Sequence, residues 1–242
     1  MPRRLYELCG ADERLRFSPF CWRVIMALVH KQLPFESVPW HFCEKDALAF
    51  SGQEPPQARK VPVLEDEDGT VVSDSLEIMK YLDRTYPEHP LIGTGQARAR
   101  LDFIRHWSET QLAPAIMTCV IADVHDVLTP EDQAYFRESR EARLGNRLEE
   151  VQDLEAGKER LHQALSPLRA LLADSPFIDG EGPGAGDYLA FGMLMWGHIT
   201  GRHVLLDEDD TVQAWFERLL ARADKAGIEH VRAADINGYV TG

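Results

Sequence analysis

The sequence predicts a small mixed α/β domain followed by a larger all-helical one. Three observations point there. Through Thr85, strand-like and helix-like segments alternate. Proline and glycine then punctuate "PEHPLIGTGQ", and beyond it helical apolar spacing continues with almost no strand pattern. A chain of 242 residues is long enough to bury both cores. The expected division is 1–86 for the first domain, 87–95 for a linker and 96–242 for the helical domain.

Each element has a local reason. "RRLYEL" reads as the first strand. Phe20 to His30 carries apolar residues at helical spacing, with Ser18 suited to the N-cap and Pro19 to the first helical position, where its missing N–H costs nothing. "FESV" is a second short strand, and an irregular stretch follows it. "VPVLEDEDGTVVSDS" holds two β-rich runs joined by an Asp-Gly turn, a hairpin signal. "DSLEIMKYLDRTYP" reads as an amphipathic helix stopped by Pro87. That order suits a small mixed sheet covered by helices.

In the second domain, Gln96 to Asp126 predicts one long helix disturbed at Pro114. "LTPEDQAYF" begins another, with Thr129 as N-cap, Pro130 at N1 and acidic residues in the first turn. "LSPLRALLA" restarts a helix in the same way at Ser166. "GPGAGDYLAFGMLMWGHI" predicts an apolar helix buried on most sides, and "DDTVQAWFERLLARADKA" the last clear helix. No internal repeat is visible.

Composition narrows the function. The formal net charge is -14, with 14 acidic against 11 basic residues through Thr85 and 26 against 15 beyond it. That balance argues against a nucleic-acid partner, which needs clustered Lys and Arg. Cys9, Cys21, Cys43 and Cys119 show neither paired metal-ligand spacing nor a C-x-x-C, and no His pair has zinc spacing, so no metal is expected. The start "MPRRLYELCGADERLRF" lacks an apolar signal region, and no apolar run approaches the roughly 20 residues that span a bilayer. No membrane partner is expected, and a reducing cytoplasm is the expected home.

Four stretches carry a resemblance: "SPFCWR" at the first helix, "KVPVL" at the third strand, "SDSLEIMKYLD" at the last helix of the first domain, and "PFIDGEGPGAGDYLAFG" in the second. In this order and at these separations they resemble the cytosolic glutathione transferase superfamily over nearly the whole chain. "LYEL" before "SPFCWRVIMALVHK", with "HDVLTPEDQAYFRESREARLG" and "LEEVQDLEAGKERL", is further similar to the bacterial β-aryl etherases and fungal etherase-like transferases. One departure is "PWHFCEK" after the second strand, where those etherases have a glycine-rich turn.

The resemblance implies a thioredoxin-like first domain that binds glutathione, with a second-substrate pocket against the helical domain. It implies Ser18 as the catalytic hydroxyl that stabilises the glutathione thiolate, against the simpler role of a helix cap. Tyr6 is a rival donor, and Cys21 a rival nucleophile; Ser18 stands where an attacking cysteine would be needed, so disulfide exchange is not expected. Cys9 precedes Ser18 in the same loop. Val61 and a cis Pro62 are implied to pair with glutathione's cysteinyl unit, and Asp74 and Ser75 to grip its γ-glutamyl end. Lys60, His41 and Gln53 are alternatives for the glycine carboxylate. Asp187 matches a buried capping aspartate whose usual Ser or Thr partner is replaced by Gly184. Phe20, Trp107, Met117, Tyr188 and Trp196 are candidate walls of the second-substrate pocket, although aromatic and Met residues at helical spacing also build cores. The implied activity is attack of glutathione thiolate on an apolar aromatic electrophile, including cleavage of a β-aryl ether, by a homodimer. The rival reading is a non-catalytic protein binding glutathione and an aromatic ligand.

Overall fold

The computed structural model describes residues 1–93 and 95–236. The expected linker, 87–95, and helical domain, 96–242, therefore each include positions outside the described residues.

The sheet has four strands: β1 (Arg4–Leu8), β2 (Glu36–Trp40), β3 (Val63–Glu65) and β4 (Val71–Ser73), in the order β2-β1-β3-β4. β1 and β2 are parallel, joined by α1 (Pro19–His30); β3 and β4 form the antiparallel hairpin, and α2 (Ser75–Thr85) follows. This is the thioredoxin-like arrangement that the resemblance implied. The irregular stretch contains two 3₁₀ turns, Lys45–Ser51 and Pro56–Ala58. Beneath the hairpin, buried Arg3 donates to Asp66 (2.8 Å), whose carboxylate also accepts from the Tyr81 and Tyr86 hydroxyls. With these three donors and the Glu67 N–H around it, that buried charge is compensated.

The expected long helix is two helices, α3 (Gln96–Trp107) and α4 (Ala113–Asp126), joined by a π turn over Ser108–Leu112. Pro114 has no N–H, and its ring opposes the carbonyl four residues back, so the turn before it widens. The helices α5 (Pro130–Leu144), α6 (Leu148–Val151), α7 (Leu154–Ala164), α8 (Ser166–Leu172), α9 (Ala185–Thr200) and α10 (Thr211–Lys225) complete the set. Thr129 caps α5, accepting from the Asp132 N–H at 3.3 Å. Ser166 does not cap α8: Leu165 holds the cap position in helical conformation, because α7 runs almost directly into α8. Among the described residues, no helix is long and apolar enough to cross a membrane.

α1 and α9 hold the two halves together. A side chain at Gly192 would meet the Pro19 carbonyl at 2.3 Å, so only glycine permits this crossing. The α9 N-terminus rests on Asp187, fully buried, whose carboxylate accepts from Ile178, Asp179 and Gly184 N–H groups and from the Trp215 indole. The missing Ser or Thr at position 184 is replaced from outside the helix. Asp179 accepts from the Gly186 N–H at 2.7 Å, and its Oδ2 lies 2.6 Å from where a Gly184 side chain would begin. The capping carboxylate fills that space.

Candidate functional site

The register places the candidate residues. Tyr6 pairs with Val63, and Val63 with Ser73, so the end of β1, the start of β3 and the end of β4 meet at one edge of the sheet. Beyond that edge lie the loop to α1, the Val61–Pro62 bond and the start of α2. The Val61–Pro62 bond is cis. Val61 precedes the β3 ladder, so its backbone is outside the strand pairing.

Ser18 is the α1 N-cap, with extended backbone and a buried side chain. Its Oγ accepts from the Cys21 N–H at 3.3 Å, beyond the usual 2.7–3.2 Å range. Asp74 caps α2, accepting from Leu76 and Glu77 N–H groups at 2.9 and 3.2 Å. Its φ of 75° is rare outside glycine. Ser75 is buried at the first helical position, and the neighbouring Ser73 hydroxyl is buried without a partner among the described residues. A buried hydroxyl without a partner at the start of a helix suits a polar ligand.

Ser18, Lys60 and Val61 line a cavity of about 420 Å³ between the sheet domain and helices α4, α5 and α9. Phe20, Met117 and Trp196 line it too. Two expected wall residues do not. Tyr188 is fully buried in α9, its hydroxyl 2.8 Å from His30 Nδ1; Trp107 donates its indole N–H to the Ala164 carbonyl on α7. Both are packing residues, because their polar tips find partners on the side of their helices turned to other elements.

The rivals to Ser18 are held elsewhere. The Tyr6 hydroxyl donates to Glu65 at 3.2 Å and its ring packs against Phe50, outside the cavity lining. Burial and then Glu65 push its pKa up. Cys21 is buried, and burial followed by the Glu7 charge pushes its thiol up to about 12. Cys9 is pushed to about 12 by burial, its Sγ bonded to the Trp40 carbonyl. Both thiols stay protonated at neutral pH and are poor nucleophiles. Gln53 is engaged with the backbone of Lys60, donating to its carbonyl and accepting from its N–H. His41 sits 3.6 Å from Asp132.

Sequence reasoning missed one wall of the cavity. The "PWHFCEK" departure crosses to α5, where buried Asp132 accepts from the Phe42 and Cys43 N–H groups, both at 2.9 Å. Phe42 then packs against Tyr135 and Phe136, and Lys45 lies over Trp40 and Tyr135. The available signal was the departure itself, together with an aspartate one turn into a helix already capped by Thr129.

The chain matches two family models in tandem: glutathione S-transferase, N-terminal domain, over residues 17–85, and glutathione S-transferase, C-terminal domain, over 101–222. A glutathione S-transferase-like protein, ustS, of Aspergillus flavus is 28% identical over 139 residues, 52% of this chain and 50% of the relative. The chain thus spans about half the length of that curated relative. Among solved structures, glutathione transferase GSTFuA3 of Phanerochaete chrysosporium has a TM-score of 0.82 at 23% identity, covering 92% of this chain and 97% of the other. A glutathione S-transferase of Ceriporiopsis subvermispora in complex with glutathione has a TM-score of 0.73 at 22% identity, covering 93% and 97%. At these identities the two structures show the fold. The tandem match across both halves, on the architecture described above, carries the conclusion: this protein belongs to the glutathione S-transferase family.

Proposed function

We propose that the protein is an etherase-like glutathione transferase acting on apolar aromatic electrophiles. The observation that carries this is a hydroxyl, Ser18, at a helix N-terminus in the wall of a largely apolar cavity, beside a backbone segment free to pair with a peptide. In this reading Asp74 takes the γ-glutamyl ammonium, and the Ser75 N–H and hydroxyl take its carboxylate. Val61, ahead of cis Pro62, pairs with the cysteinyl unit, and Lys60 meets the glycine carboxylate. That threading leaves the thiol near Ser18.

The thiolate is the nucleophile, since a thiol is mostly protonated at neutral pH. The Ser18 hydroxyl and the first-turn N–H groups stabilise its charge. On a β-aryl ether, the sulfur lone pair forms a C–S bond at the β-carbon as the C–O bond breaks. The C–O electron pair leaves with the oxygen as phenolate, a good leaving group because a phenol has a pKa near 10, and solvent later protonates it. The product is a glutathione thioether.

The proposed domain limits remain 1–86 and 96–242, and the proposed setting is a cytoplasmic homodimer. The test is a panel of model β-aryl ethers, chlorodinitrobenzene and isothiocyanates with glutathione, products identified by mass spectrometry. Thioether and free phenol from the ethers would support the reading. Tight binding of glutathione and ethers without product would instead establish a binding protein.

A further inference from the structure

Five basic residues line the cavity (Lys45, Arg59, Lys60, Arg140 and Arg143) and no acidic one does. In a chain with 40 acidic and 26 basic residues, that local inversion is selective. Two of the five already have roles: Arg59 pairs with Asp46 and Glu54, and Lys60 faces glutathione in the reading above. Arg143 is exposed at the rim. Lys45 and Arg140 are different, because both are half-buried and neither has a carboxylate within 4 Å among the described residues.

Their heads are fixed in place by the walls. The Arg140 guanidinium lies 4.7 Å from the Phe136 ring and 5.6 Å from Phe42; the Lys45 ammonium lies 5.0 Å from Trp40 and 5.4 Å from Tyr135. Arg140 donates to the Ser139 hydroxyl and Lys45 to the Arg59 carbonyl, both neutral acceptors. The Asp132 carboxylate, which accepts from the Phe42 and Cys43 N–H groups, favours the Lys45 charge from a distance but is paired with neither cation. One turn earlier on the same helix, Arg137 shows what a surface arginine does here, pairing with Glu141 and Glu149. Burial lowers the pKa of both cavity cations; at Lys45 the nearby Arg140 acts in the same direction, while Cys43 and Asp132 oppose it. Two half-buried cations line the same cavity as apolar Met117, Ile121 and Trp196, and neither is paired with a carboxylate among the described residues.

We propose that Lys45 and Arg140 select an anionic aromatic electrophile, an aryl carboxylate, whose ring lies on the apolar floor and whose carboxylate completes the two cations. This rests on the transferase reading for the electrophile, but the anion site stands on its own geometry. A guanidinium and an ammonium on aromatic faces are preorganised donors for a carboxylate.

The test compares 4-chloro-3,5-dinitrobenzoate with its methyl ester, each conjugated with glutathione and each rate expressed over its uncatalysed rate. The acid-to-ester ratio of kcat/KM is internal to each variant, so loss of folded protein cancels. Arg140→Gln and Lys45→Gln should each lower that ratio roughly tenfold, the loss of about 1.4 kcal/mol of anion binding, while Arg140→Lys retains most of it. A second readout needs no turnover: anilinonaphthalene sulfonate binding, followed by fluorescence at low salt, should weaken roughly tenfold in Arg140→Gln. Turnover of both compounds with a ratio indifferent to Arg140 and Lys45 would overturn the anion site and leave the transferase reading intact. No turnover of either compound, with dye affinity still dependent on Arg140, would overturn the transferase reading and support the anion site.

Discussion

Replacing Ser18 by Ala separates its two roles, because they predict different numbers. As a cap, Oγ accepts from the Cys21 N–H at 3.3 Å, a long bond. Its loss belongs at the lower end of the capping range, about 0.5–1 kcal/mol. For a chain of this size that lowers Tm by roughly 1–4 °C. As a donor to thiolate, the same hydroxyl makes a charge-assisted bond of about 1.5–3 kcal/mol. At about 1.4 kcal/mol per pK unit, losing it raises the bound thiol's pKa by roughly one to two units. Activity measured well below that pKa then falls roughly ten- to hundredfold and recovers in part at higher pH. The assay is the ultraviolet absorbance of enzyme-bound thiolate against pH for wild type and Ser18→Ala, with Tm measured in parallel. A small Tm loss with superimposable titration curves would refute the thiolate role and leave Ser18 a cap.

Asp74→Asn keeps an acceptor for the Leu76 and Glu77 N–H groups and a residue tolerant of positive φ, but removes the charge. Calorimetry should show glutathione binding weakened by roughly 1–3 kcal/mol with little change in Tm; equal affinity would remove Asp74 from the site. Wild-type protein should reduce mixed disulfides poorly, since burial pushes Cys21 to about 12, and Ser18→Cys should raise that activity because a helix N-terminus favours thiolate. Efficient reduction by wild type that Cys21→Ser abolishes would overturn the assignment. Burial, then the Arg232 and His230 charges, lowers His198 from 6.5 to about 4. The native state therefore binds fewer protons than the unfolded chain in this window, and stability present above pH 6.5 is lost as pH falls towards 4, by at most roughly 3 kcal/mol. His198→Gln should flatten urea midpoints across that range, and an unchanged slope would assign the acid sensitivity elsewhere.

Local physics made most of the fold legible. Ser18 before Pro19, the Asp-Gly turn, Asp74 before an amphipathic run and Thr129 before Pro130 each specify a backbone conformation through neighbours in the chain, and each element begins where those residues put it. Pro114 likewise announced a disturbance, and the widened turn before it is where that disturbance falls. The loss of a cap at Gly184 was visible in the sequence; its replacement by Asp179 was not, because that carboxylate arrives from outside the helix.

The site divides in the same way. Residues of the sheet edge, Ser18, Val61 and Asp74, could be named because short-range signals mark strand ends and helix starts. Trp107, Met117, Tyr188 and Trp196 looked alike in sequence, as apolar residues at helical spacing, and only the packing of helices sent two to the cavity and two to contacts away from it. The wall made by Phe42, Lys45, Tyr135, Phe136 and Arg140 joins segments about 90 residues apart through Asp132. Helical and strand periodicity reports which side of an element is buried, not which distant element buries it, and whether Arg140 meets a carboxylate or an open cavity is decided by that second fact.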